Sequence, residues 1–189
     1  MKKFLVVLLL VLAAFCLFSC EDSDVPEGMK LASDTKVVDY KLFVPEKWVV
    51  SDAERATTQA YVSEGDRTNV MVMQWNLTES TKTVKDWWEN EYKPQVFTSG
   101  AIQDVKVEKD EGVATTLDKK AATKYSYTGK IGDCYFKYDI IACVTQGSIY
   151  VMQFTYMQDN IENSDEIKFS TYEAHKDEVK SIVDNFRFK

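Results

Sequence analysis

The sequence predicts an α+β fold: an α/β/α sandwich with a mainly antiparallel sheet covered by helices on both faces. Three observations carry that expectation. Several segments rich in aromatic and β-branched residues are joined by connections short enough for hairpins, which makes the sheet mainly antiparallel. Two of these segments, residues 69–77 and 148–157, are apolar on both sides: Tyr150, Met152, Phe154 and Tyr156 alternate with Ile149, Val151 and Met157. A sheet buried on both faces needs cover on both, and two helical segments far apart in sequence can supply it.

The elements follow in order. Residues 37–44, VVDYKLFV, read as a first strand halted by Pro45, and residues 48–51 as a short extended piece. Residues 57–63 form a second strand that ends in a turn at Gly65-Asp66, and residues 69–77 a third. A helix comes next, capped by Thr81 or Thr83, with Val84, Trp87, Trp88 and Tyr92 at helical spacing. Pro94 lacks the amide hydrogen that the preceding turn would use, so the helix is expected to kink or stop there. Residues 102–108 alternate as a strand, and Asp110-Glu111-Gly112 turns the chain. Residues 113–117 and 121–129 pair across Asp118-Lys119-Lys120, and a turn is expected at Gly129–Gly132. The two strongest strands, residues 134–145 and 148–157, are joined by a tight hairpin at Gln146-Gly147. A last helix is expected, capped by Asn163 or Ser164, with Glu166 returning a bond to Asn163. Phe169, Tyr172, Val179, Ile182 and Val183 make its apolar stripe, and Phe186 and Phe188 close the chain in a short strand.

The first twenty residues concern address. Lys2 and Lys3 precede an uncharged run from Phe4 to Phe18, and Ser19-Cys20 ends it. This is the layout of a secretory signal; the run is short of the roughly 20 apolar residues that a membrane span needs. Leu17-Phe18-Ser19-Cys20 resembles a bacterial lipobox, which implies removal of residues 1–19 and a lipid on Cys20. The chain would then be held at the outer face of the cell membrane, extracytoplasmic, with the membrane as its partner through that lipid. The plainer alternative is a secreted or membrane-anchored protein in which Cys20 is incidental. Glu21, Asp22 and Asp24 would lie in headgroup and water. Residues 20–36 show no sustained period and contain the breakers Pro26 and Gly28, so they read as the lipidated cysteine and a flexible tether, reaching roughly 50 Å if extended. Residues 37–189 are the domain.

Without residues 1–19, the chain carries 21 lysines and arginines against 30 acids, a net charge of −9. Such a domain will not hold nucleic acid by charge and is repelled by an anionic leaflet. The acid excess reads as a device for solubility.

Chemistry is sparse. His175 is the one histidine; alone it cannot build a histidine-based metal site, and it reads as a helix-surface residue. Cys134 and Cys143 fall on one strand about 30 Å apart and point to opposite faces, too far for a disulfide. They read as free thiols that behave as small hydrophobes, rather than as a nucleophile paired with His175. Trp75, Trp87 and Trp88 read as core, except that adjacent helical residues point about 100° apart. One of Trp87 and Trp88 is therefore expected to pack on the sheet and the other to cover a neighbouring strand or stay partly exposed, which makes this pair the candidate contact surface. Asp104, Glu108, Asp110 and Glu111 lack the oxygen spacing of a calcium loop. No catalytic residue, metal site or cofactor is expected from these patterns.

The order Leu42-Phe43-Val44-Pro45 and Trp48, the strand 69–77, Trp87-Trp88, residues 122–129, residues 149–156 and the ending Ile182-Val183-Asp184-Asn185-Phe186-Arg187-Phe188 resembles the PsbP family. Small Ran-binding nuclear-transport proteins share its fold, and bacterial extracytoplasmic lipoproteins with a PsbP-type domain are similar over residues 37–189. The resemblance implies a non-enzymatic binding or assembly role toward larger partners and brings no catalytic residues. Photosystem docking is not implied, since a lipidated tether stands where the docking segment would be. The expectation is a lipid-anchored, non-catalytic module for a protein or envelope component. The alternative is a small-ligand carrier or an enzyme whose site forms only in three dimensions.

Overall fold

The structure, a computed structural model, describes residues 24–51, 58–63, 65–159 and 167–189. The chain first forms β1 (Met29–Leu31), β2 (Tyr40–Lys41), β3 (Phe43–Pro45), β4 (Val49–Ser51), β5 (Thr58–Tyr61) and β6 (Asn69–Asn76). A helical segment follows: α1 (Val84–Trp87), a π-helical turn (Trp88–Tyr92) and α2 (Lys93–Val96). Then come β7 (Gln103–Val107), β8 (Val113–Leu117), β9 (Lys120–Ile131), β10 (Cys134–Thr145) and β11 (Ser148–Met157). The chain ends in α3 (Ser170–Ala174), α4 (Lys176–Asn185) and β12 (Arg187–Phe188).

Turn chemistry sets the sheet. Asp118 and Lys119 take φ of 45° and 62°, and Gln146 and Gly147 take 51° and 74°. Positive φ at both central residues matches the right-handed twist of the flanking strands in a two-residue hairpin. These turns fold β8 onto β9 and β10 onto β11. The main sheet runs β4-β5-β6-β11-β10-β9-β7, with β8 also along β9, and its pairings are antiparallel. The fold is therefore α+β, a mostly antiparallel sheet with few helices.

Alternation along the central strands divides the buried side chains into two clusters. Val70, Val72, Ile141, Cys143, Tyr150, Met152, Phe154 and Tyr156 join Ile182 and Phe186 of the C-terminal segment. Ile140, Ala142, Ile149 and Val151 join Trp87, Trp88 and Tyr92.

Several expectations are corrected. Residues 37–44 are not one strand. β2 pairs with β12 while β3 pairs with β1, so the chain changes partners at Leu42, whose amide is taken by the Ser33 hydroxyl at 3.0 Å. Part of the segment read as tether belongs to the domain. Gly28 turns with φ 71°, Met29 donates to the Pro26 carbonyl, and β1 then pairs Met29 with Pro45; Met29 is buried. Three residues are too few to show a period, so nothing in the pattern marked this strand. Of the kink or stop expected at Pro94, the stop does not occur: the π-helical turn shifts the bonding ladder and leaves the proline in the first turn of α2, where a missing N–H costs little. Gly129 is not in a turn, because β9 continues to Ile131. A Cβ at Gly129 would stand 2.2 Å from Ile102 Cγ2, so glycine here permits close approach of β7. The helix caps expected at Asn163 or Ser164, with Glu166, lie outside the described residues, as do residues 1–23.

Candidate functional site

The expected contact pair, Trp87 and Trp88, offers no surface: both indoles are fully buried. Thr83 caps their helix, its hydroxyl accepting from the Asp86 amide while the Asp86 carboxylate accepts from the Thr83 amide. Trp87 then sits between Trp75 and Tyr92, with ring centroids at 5.4 and 4.9 Å. The 100° between neighbours does not expose the second ring, because the tyrosines of β9 reach up to it. Trp88 stacks on Tyr125 at 4.1 Å.

His175 is not a bare helix-surface residue. It stands between α3 and α4 with only 12% of its side chain exposed. Nε2 lies 2.6 Å from Asp66 and Nδ1 3.1 Å from Glu178. The same Glu178 accepts from Trp48 Nε1 at 2.8 Å and pairs with Lys47 at 2.5 Å. Burial works against the charge of Asp66, but the Thr68 bonds and then His175 outweigh it and hold the carboxyl below its usual range. Burial likewise opposes Glu178, and Lys47, Trp48 and His175 overcome it. The imidazole therefore ties the 65–69 turn to the last helix.

Cys134 and Cys143 stand at opposite ends of the continuous β10, and both are free thiols. Burial pushes the Cys143 thiol up to about 12, which suppresses the reactive thiolate. The acidic side chains of residues 104–111 are engaged one by one. Asp104 accepts from Tyr135, Glu108 pairs with Lys137, Asp110 with Lys93 at 2.6 Å, and Glu111 with Lys109 at 3.7 Å. Among the described residues no group of three or more His, Cys, Asp or Glu side chains could hold a metal ion.

The structure brings together a site that the sequence reading missed. A groove of about 260 Å³ opens between α3, α4 and the sheet, floored by Ile141, Phe154 and Tyr156 and walled by Tyr172, Val179 and Val183. Asp139, only 3% exposed, also lines it. One oxygen accepts from Lys124 at 2.8 Å and the other from Ser126 at 2.6 Å. Burial, then the negative charge of Asp139, pushes the Tyr156 hydroxyl up. The available signal was a single acid in the middle of the apolar strand CYFKYDIIAC. An ionised carboxylate is placed there only where partners await it, and those partners are on β9. Each Asp139 oxygen thus accepts one hydrogen bond, which fixes the carboxylate in place beside the groove.

No protein-family model matches the chain, and no curated protein matches it. Solved structures do. The PsbP of the cyanobacterium Synechocystis sp. PCC 6803 superposes with a TM-score of 0.55 at 14% identity, covering 92% of this chain and 99% of that one. A Bacteroides thetaiotaomicron VPI-5482 protein gives 0.50 at 8% identity, covering 87% of this chain and 49% of that one. LpqN of Mycobacterium tuberculosis, involved in cell envelope biogenesis, gives 0.48 at 12%, over 79% and 83%. The likeness is one of fold, and the fold is PsbP-like.

Proposed function

We propose that this chain is a lipid-anchored, extracytoplasmic binding or assembly module without catalytic activity, which receives a protein or envelope component at the groove beside Asp139. The observation that carries the reading is the makeup of that groove: an apolar floor with one buried carboxylate, each of whose oxygens already accepts a hydrogen bond. The sequence supports the anchor through the apolar run, Ser19 and Cys20. The residues that could have done chemistry support the absence of catalysis. His175 serves as a tie, and the Cys143 thiol is raised to about 12. The two buried clusters support an α/β/α sandwich as the architecture, with the last helix standing over the groove. Among the described residues no helix is long and apolar enough to cross a membrane.

Membrane fractionation after labelling with radioactive palmitate tests the anchor. Label should follow the wild-type chain into membranes and be absent from Cys20→Ala. An intact, unlabelled chain in the cytosol would overturn the reading. A photo-cross-linking residue at Lys180, on the groove rim, tests the binding role. It should give a recurrent adduct with one partner that is missing when the same group stands at Val113; equal yields from the two positions would count against the groove.

A small-ligand carrier is the second reading. It is favoured by the apolar floor with converging polar groups, the usual makeup of ligand pockets, although about 260 Å³ lies just under their common range of roughly 300–1,000 Å³. Native mass spectrometry of protein purified from its own cells would separate the two, since a carrier retains a bound small molecule.

A further inference from the structure

A second cavity, of about 500 Å³, lies where the described chain begins. Asp24, Pro26, Lys41, Phe43, Arg187 and Lys189 are among the residues around it. We propose that this cavity seats the phosphate of a phospholipid headgroup and so sets the domain's orientation on the membrane.

The first argument is an unfavourable contact that the fold maintains. β2 and β12 pair in register, and Lys41 stands directly opposite Arg187. Side chains of such partners leave the same face, and like charges placed so are destabilising. Lys41 is relieved by Asp24 at 3.1 Å. Arg187 is held in place by its own backbone, with Nη1 donating to the carbonyls of Asp184 and Phe186, both at 2.6 Å. Lys189 donates to the Thr35 carbonyl. Among the described residues no carboxylate pairs with Arg187 or Lys189. Two oriented cations beside a third, with the Nε and Nη2 hydrogens of the guanidinium still to be placed, form a receptor for an oxyanion.

The second argument is position. With β1 inside the domain, the chain between the anchor and the folded part is short. Cys20 and Asp24 are four residues apart, at most roughly 13 Å when extended. A lipid on Cys20 would therefore bring this cavity to headgroup depth. That source of phosphate rests on the anchor proposed above.

The third argument is charge complementarity. A net charge of −9 on the anchored chain disfavours an anionic leaflet. A zwitterionic headgroup avoids that repulsion. Its phosphate meets Lys41 and Arg187, its amine meets Asp24, and Pro26, Phe43 and Phe188 offer an apolar wall to the glycerol and first methylenes.

The test uses the full chain in maltoside micelles, which carry no phosphate. Short-chain phosphatidylethanolamine, the corresponding diacylglycerol and inorganic phosphate are titrated separately, and the side-chain N–H resonance of Arg187 is followed by NMR. Phosphatidylethanolamine should shift it saturably while the other two, at equal concentration, leave it in place. Affinity should fall about tenfold or more in Lys41→Gln and Arg187→Gln, and Arg187→Lys should retain part of it. An equal response to diacylglycerol shows that the headgroup is not read and overturns the proposal. An equal response to inorganic phosphate makes this a free-anion site and overturns its assignment to lipid. Unchanged phosphatidylethanolamine affinity in Arg187→Gln also overturns it. The arms on the unmutated chain need no variant to fold. The mass of the same preparation reports acylation of Cys20 separately, so a failed anchor and a failed headgroup site are distinguishable.

Discussion

Trp88 lies flat on Tyr125, with ring centroids 4.1 Å apart and planes 9° from parallel. One ring comes from the π-helical turn and the other from β9, 37 residues later. The contact thus fastens the helical segment to the sheet. Burial, then the charges of Glu89 and Asp110, pushes the Tyr125 hydroxyl up to about 12. Stacked aromatic pairs contribute about 0.5–1.5 kcal/mol beyond the area they bury.

Trp88→Ala should cost about 3–5 kcal/mol, the usual loss when a buried aromatic residue is truncated. Urea denaturation measures it. A midpoint within error of wild type would mean that the indole does not fasten the helical segment to the sheet.

Lys124→Met should destabilise the fold more than Asp139→Asn. The first leaves a carboxylate with 4% side-chain exposure lacking its counter-charge, at a cost of about 2 kcal/mol or more; the second removes the charge itself and keeps a group that can accept from Ser126. Thermal melts of the two single variants decide it, and the reverse order would contradict the arrangement at the groove.

Acid should loosen the tie at His175. Asp66 and Glu178 are held below their ordinary values of 3.8 and 4.5. In the window below those values the unfolded chain binds more protons than the folded one, so stability falls as pH falls. Their contribution is complete above about pH 5 and is lost as pH drops through the lowered folded values. His175→Ala removes one partner from each acid, so stability measured from pH 6 to pH 3 should decline less steeply than in wild type. An unchanged slope would show that the imidazole does not influence either carboxyl.

Gly129→Ala should destabilise by about 1–3 kcal/mol, because the new methyl must displace Ile102. Shortening that side chain relieves the clash, so Gly129→Ala with Ile102→Ala should cost less than the sum of the single changes. Strict additivity in a denaturation cycle would refute the contact.

Iodoacetamide at pH 8 should leave Cys143 unmodified in the folded chain and alkylate it after unfolding, since its thiol is both buried and raised to about 12. Peptide mapping reads the site directly; rapid native alkylation of Cys143 would contradict its environment.

The strands from 113 onward were legible because their signals are local. Alternation, β-branched and aromatic content, and the turns at Asp118-Lys119 and Gln146-Gly147 depend on neighbours in the chain alone. The PsbP-like order of elements and the acidic balance could be read for the same reason. β1 was hidden because three residues hold no period, and its pairing with β3 depends on a segment further along the chain, in the register that sets Met29 opposite Pro45 and Leu31 opposite Phe43. Whether the second of the paired tryptophans is covered or partly exposed was left open as well, because the angle between side chains on a helix says nothing of how tall the facing tyrosines are. Asp139 stood out in its strand, yet its meaning came only from Lys124 and Ser126 on the next strand and from the helix that roofs the groove. His175 likewise acquires its role from Asp66, 109 residues away. Periodicity and turn preference are properties of short stretches, so the amino-acid order determines them directly. Burial, ion pairing and cavities are properties of what meets across the fold, and only the tertiary structure could decide them.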